Sequence, residues 1–187
     1  MLLLTAPPVV YIIAPFMYID LDRFDPWKLA ATGGHFQGKI APGCLPRLNS
    51  LLAAPADPVS IAVEAGVDAQ AIAFLKGRLE TTVSLICQRC LGPLELPLTV
   101  PFRLGLAYDE RQAENLPEEY DPLLVSAEGV TLAELTEDEL ILALPLVPMH
   151  NDLRQCQANG FVAPQVEAQT AKPFAALATL MNDVKQE

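Results

Sequence analysis

Between Leu79 and Leu106 apolar and polar residues alternate with a period of two, interrupted once by Cys87-Gln88-Arg89-Cys90. Leu79, Thr81, Val83, Leu85 and Cys87 lead up to the interruption. Leu94, Leu96, Leu98, Val100, Phe102, Leu104 and Leu106 follow it. Successive side chains of a strand point to opposite faces, so this pattern requires two half-buried strands that share a core face. Gln88 to Pro93 joins them, with Gly92-Pro93 supplying the turn chemistry. The spacing therefore predicts a long antiparallel hairpin with a C-x-x-C at its tip. Around it we expect an α+β domain: a twisted antiparallel sheet built on the central hairpin (about 79–106), with a few packed helices.

The flanking segments supply the other elements. Tyr18 to Arg23 alternates and predicts a strand. Asp25 is placed to cap a short helix with Pro26 at N1, Trp27 as a core anchor and Gly33-Gly34 at its end. His35 to Ile40 predicts a strand, and Leu45 to Leu52 a helix with Leu48, Leu51 and Leu52 inward. Cys44 has no nearby cysteine and is expected to be a small buried hydrophobe. Past a linker at 53–58, Ser60 to Val67 and Ala71 to Lys76 predict two more strands. Asp109 to Glu128 is acidic and reads as a solvated loop, with a short edge strand at Leu123 to Val125. Thr131-Leu132-Ala133-Glu134 is a capping box that opens a helix over Leu132 to Leu144, and Pro145 stops it. Pro148 keeps the next segment extended, and that segment delivers His150 and, in the same loop, Cys156.

Three segments follow from this reading: an apolar extension over 1–18, a domain over 19–156, and a mobile linker with a short helix over 157–187. The terminal helix spans Pro173 to Met181, with Phe174, Leu177, Leu180 and Met181 as its apolar stripe. Residues 1–16 contain three prolines and no Lys or Arg, which fits neither a signal peptide nor a membrane span. They are expected to be disordered, or to precede the true start at Met17. A cytoplasmic protein without membrane contact is expected.

Charge narrows the partners. Twelve Lys and Arg stand against 23 Asp and Glu, giving a net charge of −11. Such a surface repels phosphate and favours basic protein partners over naked nucleic acid. Glu118, Glu119, Glu137 and Asp138 are candidates for docking such a partner, and Arg89 at the hairpin tip is a candidate phosphate contact. The acids at the start of the 132–144 helix also favour its dipole, so stability alone accounts for them.

Cys87, Cys90, His150 and Cys156 make a Cys3His set, a ligand combination typical of structural zinc. Four protein ligands leave no open position for water or substrate. The spacing from Cys90 to His150 leaves open whether the two halves meet. A redox dithiol and a pair of inert packed thiols remain as alternatives, although a redox C-x-x-C normally opens a helix within a βαβ unit. H-E-x-x-H, G-x-S-x-G and Walker patterns are all missing from the sequence, and we expect no catalysis.

Several stretches resemble the YceD (DUF177) family: Asp25-Pro-Trp-Lys-Leu-Ala, Cys87-Gln-Arg-Cys-Leu, Leu116-Pro-Glu-Glu-Tyr-Asp-Pro-Leu, and the run from Glu137 through Leu-Pro-Leu-Val-Pro-Met to His150, with Lys172-Pro-Phe-Ala-Ala-Leu near the end. The resemblance covers about residues 19–181. It implies a non-enzymatic factor for accumulation of 23S ribosomal RNA and for large-subunit biogenesis. The implied partners are a large-subunit ribosomal protein or a pre-ribosomal ribonucleoprotein, with direct binding of 23S ribosomal RNA as the alternative. It also implies Cys87, Cys90, His150 and Cys156 as ligands of a structural metal. Residues 1–16 fall outside the family pattern, and Asn151 to Gln155 is less acidic than the pattern.

Overall fold

The computed structural model describes residues 23–126 and 128–162. The expectations for Tyr18 to Asp22, for the extension over 1–18 and for the helix at Pro173 to Met181 lie outside these residues.

Asp25 begins the described fold by accepting hydrogen bonds from the backbone N–H groups of Trp27 (3.0 Å) and Lys28 (3.2 Å). That cap starts helix α1 (Pro26–Thr32), and Gly33 ends it in the left-handed region at φ 63°. Strands β1 (His35–Ile40), β2 (Val59–Val67), β3 (Ala73–Ile86) and β4 (Pro93–Ala107) then run as an antiparallel meander. Helix α2 (Pro46–Leu51) lies between β1 and β2, and the short α3 (Glu110–Ala113) follows β4. The sheet order is β1-β2-β3-β4-β5. Helices α4 (Leu132–Ala143) and α5 (Leu153–Ala158) complete the described chain.

Two features depart from the sequence expectation. β5 (Asp121–Leu124) pairs parallel to β4, so the sheet is mixed rather than wholly antiparallel, within the expected α+β class. The acidic 109–128 segment supplies this crossover: α3 folds out of what reads as a loop, and β5 overlaps the short edge strand expected at Leu123 to Val125, beginning two residues earlier. Second, the predicted strands at 71–76 and from 79 onward are one continuous β3. Gly77 holds them together. A Cβ there would run into the Ala62 carbonyl and come 2.6 Å from the Phe102 ring, so the glycine is required by close packing, not by a break.

The inner face of the sheet carries the core. Val59, Leu75, Leu79, Val83 and Leu106 are all buried there, in one cluster with Leu29 of α1, Leu48 of α2 and Leu140 of α4. α4 opens as predicted, with the Glu134 N–H donating to Thr131 Oγ1 (3.1 Å). α2 is shorter than its sequence pattern. It ends at Leu51, which is 54% exposed, and Leu52 turns extended, so only Leu48 of the predicted trio is fully inward. Cys44 is half-buried at the core edge. Trp27 is likewise half-buried, stacked on Tyr108 with centroids 4.1 Å apart.

Glu137 joins α4 to α2. Its Oε2 accepts from Arg47 Nε at 2.8 Å and its Oε1 from the Leu48 N–H at 3.1 Å. At 3% exposure it offers no free oxygen to a partner, and its role in the structure is internal.

Candidate metal centre

The turn between β3 and β4 is built to hold a sulfur. The Cys87 N–H donates to the Gly92 carbonyl (2.9 Å) and the Leu91 N–H to the Cys87 carbonyl (2.8 Å), with Leu91 at φ 57° closing the loop. This wraps the backbone around Cys87 so that the Arg89 N–H points at its Sγ (3.4 Å). Cys90 then comes round to the same side, which is what a C-x-x-C permits within one turn.

The second half arrives from the far end of the chain. The segment after α4 lies against the tip, where the Gln88 N–H donates to the Pro148 carbonyl at 2.8 Å. That contact seats His150, which is 7% exposed. Asp152 caps α5 by accepting from the Arg154 N–H at 2.8 Å, and α5 turns Cys156 fully inward. Cys156 therefore stands on a helix, where the sequence read a loop.

The four residues converge. Cys87 Sγ and Cys156 Sγ are 3.9 Å apart, and His150 Nδ1 is 3.5 Å from both Cys90 Sγ and Cys156 Sγ. All four donor atoms lie within 4.8 Å of one another. A tetrahedral zinc with bonds of about 2.3 Å to sulfur and about 2.0 Å to nitrogen sets S···S near ~3.8 Å and S···N near ~3.5 Å. The spacing fits such an ion.

A second ring of contacts orients the donors. The Pro93 carbonyl lies 3.0 Å from His150 Nε2. A carbonyl only accepts, so the imidazole proton resides on Nε2, and Nδ1 turns its lone pair toward the sulfurs. Asn159 Nδ2 donates to Cys90 Sγ at 3.7 Å. Neither Asn159 nor the Pro93 carbonyl is visible in a search for ligand residue types. The cue in the sequence is the helix frame, with Asp152 as cap and Asn159-Gly160 as stop.

The two buried thiols differ. Burial alone would push Cys87 up, but the backbone N–H groups of Cys90, His150 and Arg89 around its sulfur together outweigh that and bring it down to about 5. Burial pushes Cys156 up to about 11, reinforced by its contacts with the other two sulfurs. Neither cysteine of the C-x-x-C opens a helix.

The candidate partner residues sit on separate elements. Arg89 is at the tip, with Nη2 3.8 Å from Met149 Sδ. Glu118 is exposed between α3 and β5, and Glu119 beside it pairs with Arg103 at 2.6 Å. Asp138 is on α4 and pairs with Arg47 Nη1 at 2.9 Å.

Fold and site define a small α+β protein whose hairpin tip and two C-terminal segments together form a four-donor, closed Cys3His centre. Residues 75–181 match the family described as large ribosomal RNA subunit accumulation protein YceD. The chain is 35% identical over 162 residues to the protein of that name from Haemophilus influenzae (strain ATCC 51907 / DSM 11121 / KW20 / Rd), covering 83% of this chain and 92% of the relative. The chain belongs to the YceD family. No solved structure matches it.

Proposed function

We propose that this protein is a non-enzymatic factor that supports accumulation of 23S ribosomal RNA, and with it biogenesis of the large ribosomal subunit. It acts in the cytoplasm on a basic ribosomal protein or a pre-ribosomal particle. The observation that carries this reading is the 35% identity along 92% of a relative whose name states ribosomal RNA accumulation.

Three features support the finer parts of the reading. The donor set is complete without water, so a zinc ion held by Cys87, Cys90, His150 and Cys156 would be structural rather than catalytic. That ion would supply folding energy by joining the tip to the C-terminal segments. The net charge of −11 favours a cationic partner. Among the described residues no helix is long and apolar enough to cross a membrane.

The test is genetic and direct. Cells lacking this chain should show a lower ratio of 23S to 16S ribosomal RNA and a smaller free large-subunit peak on sucrose gradients, both restored by the intact gene. An unchanged ratio would sink the proposal. In the same cells, tagged protein should sediment with precursor large-subunit particles. Tight, steeply salt-dependent binding to bare 23S fragments, with none to ribosomal proteins, would replace the protein partner with RNA.

A further inference from the structure

An apolar strip beside the metal centre is left uncovered. Leu142 in the last turn of α4 is 80% exposed, Leu146 101%, Val147 57% and Met149 43%. Leu91, 73% exposed, adds to it from the tip of the hairpin, and Arg89 reaches across to Met149. Most large apolar side chains in the described core are covered, and contiguous exposed ones mark interaction surfaces. Proline frames the strip: Pro145 and Pro148 keep helix α4 from continuing past Ala143, and Leu146 and Val147 lie at bends between them. The backbone bond from Gln88 to Pro148 and the burial of His150 fix that backbone at both of its central points.

The charge at one end of the strip identifies what fits it. Asp138 and Glu139 precede Leu142 by four and three residues, on the same side of α4. Asp121 at the start of β5 adds to the field, because its charge and that of Asp138, after burial itself, hold the Glu139 carboxyl above its ordinary range. Arg47 pairs with Glu137 and Asp138, which leaves Glu139 and Asp121 without an ion-pair partner among the described residues. An apolar strip running into an uncompensated acidic corner complements a cationic polypeptide that carries apolar side chains. It repels RNA phosphate.

We propose that the strip Leu142-Leu146-Val147-Met149, with Leu91 and the acidic corner at Asp121 and Glu139, is the docking surface for a basic protein segment bearing apolar anchors. This deepens the function proposed above, on which the choice of a ribosomal protein as the partner rests. The metal centre then has a second consequence: by pinning the hairpin tip to the strip it assembles the surface in advance.

Full-length, zinc-loaded protein is titrated against the individually purified basic proteins of the large subunit, and separately against 23S fragments, by fluorescence anisotropy. One or more of the proteins should bind. Leu146→Asp should weaken that binding by about tenfold or more, the effect of a charge forced into desolvated apolar contact. Glu139→Lys should weaken it further as ionic strength falls, reversing the normal salt dependence. Val67→Asp is the control: Val67, 52% exposed, ends β2 beside Ala73 at the end of the sheet away from the tip, and its replacement should change nothing. Circular dichroism of each variant excludes misfolding, since Leu146 contributes no burial.

Binding that ignores Leu146→Asp overturns the proposal, as does the absence of any binding protein. RNA binding lost in Leu146→Asp assigns the strip to RNA, and self-association lost in that variant assigns it to a second copy. Tighter protein binding after removal of residues 163–187 assigns the strip to the chain's own tail. Each of these also overturns it. The readout of 23S accumulation separates the two ideas. A Leu146→Asp strain with low 23S, when the parent protein binds none of the basic proteins in vitro, retains the function and rejects this partner, whereas normal 23S in cells lacking the chain rejects the function alone.

Discussion

Removing the metal should cost this protein a large and calculable part of its stability. The ion would bridge positions far apart in sequence: Cys90 and His150 are 60 residues apart, and Cys87 and Cys156 are 69. In the chain-entropy picture a cross-link closing a loop of that length restricts the unfolded state by about 4 kcal/mol. A zinc centre acts as such a cross-link only while bound, so the same amount should disappear on chelation. For a chain of this size about 1 kcal/mol moves the melting temperature by roughly 2–4 °C, which makes the expected drop about 8–16 °C.

The assay is thermal unfolding by circular dichroism of protein prepared with one zinc per chain and of the same protein after chelation under reducing conditions. Thiol counting with a chromogenic disulfide provides the site assignment. Loaded native protein should expose only the half-buried Cys44, and chelation should release the three remaining cysteines. Cys156→Ser should abolish both the metal and the melting difference, while Cys44→Ser should keep both. A chelated protein that melts within about 3 °C of the loaded one would refute the cross-link argument, because the entropy of a loop this long cannot be that small. Loss of metal in Cys44→Ser would refute the ligand assignment.

Three further outcomes follow from contacts outside the ligands themselves. Glu137→Ala should destabilise by about 1–3 kcal/mol in urea titration, because it leaves the buried Leu48 N–H without an acceptor, while Arg47 stays half-exposed and paired with Asp138. Asn159→Ala should weaken zinc about tenfold in competition with a fluorescent chelator, by removing the donor to Cys90 Sγ, with the fold otherwise unchanged. Asp68 is held below its ordinary value of 3.8, chiefly by the Ile72 N–H, with the Tyr120 hydroxyl and Gln70 N–H adding to it. A depressed carboxyl stabilises the fold above its unfolded value and loses that contribution as pH falls through its folded one. Asp68→Asn should therefore be less stable than the parent at pH 7 in urea titration, with the gap closing below about pH 3.8.

What could be read from the sequence was local. The period-two run before and after Cys87-x-x-Cys90 specified a hairpin because alternation commits both strands to one core face, and the capping box at Thr131 specified α4 because it satisfies that helix end from within four residues. What escaped reading was set by contacts between distant segments. β5 is parallel because the crossover after β4 brings Asp121 beside Leu104, a pairing that four residues cannot announce. Gly77, between the two strands expected at 71–76 and from 79, is a packing requirement, since the Ala62 carbonyl and the Phe102 ring leave no room for a Cβ. Glu137 looked like one more surface acid among several and is buried, because its partners, Arg47 and the Leu48 N–H, lie about 90 residues away. The ligand types were legible from chemistry. That they meet was not, because Cys156 reaches the cluster from a six-residue helix with little apolar pattern of its own.

Why the centre stands at the hairpin tip follows from the way the core thins along the sheet. β3 keeps its inner row buried all the way to Cys87, but its partner β4 does not: Leu96, Leu98 and Val100 are only half-buried, and full burial resumes at Leu94 beside the turn. α1 packs toward the end of the sheet away from the tip, and near the apex the buried apolar row narrows to Val83, Leu85, Cys87 and Leu94. Apolar packing contributes in proportion to the area removed from water, and here there is little area to remove. An ion held by the three sulfurs and the imidazole would supply the missing cohesion from small side chains at one point. It would also tie down the segment from Pro145 to Ala158, which buries only His150 and Cys156 and leaves Leu146 wholly in solvent. A larger core would have hidden that strip. Donors gathered on one ion would instead keep it both fixed and exposed, as the proposed docking surface requires.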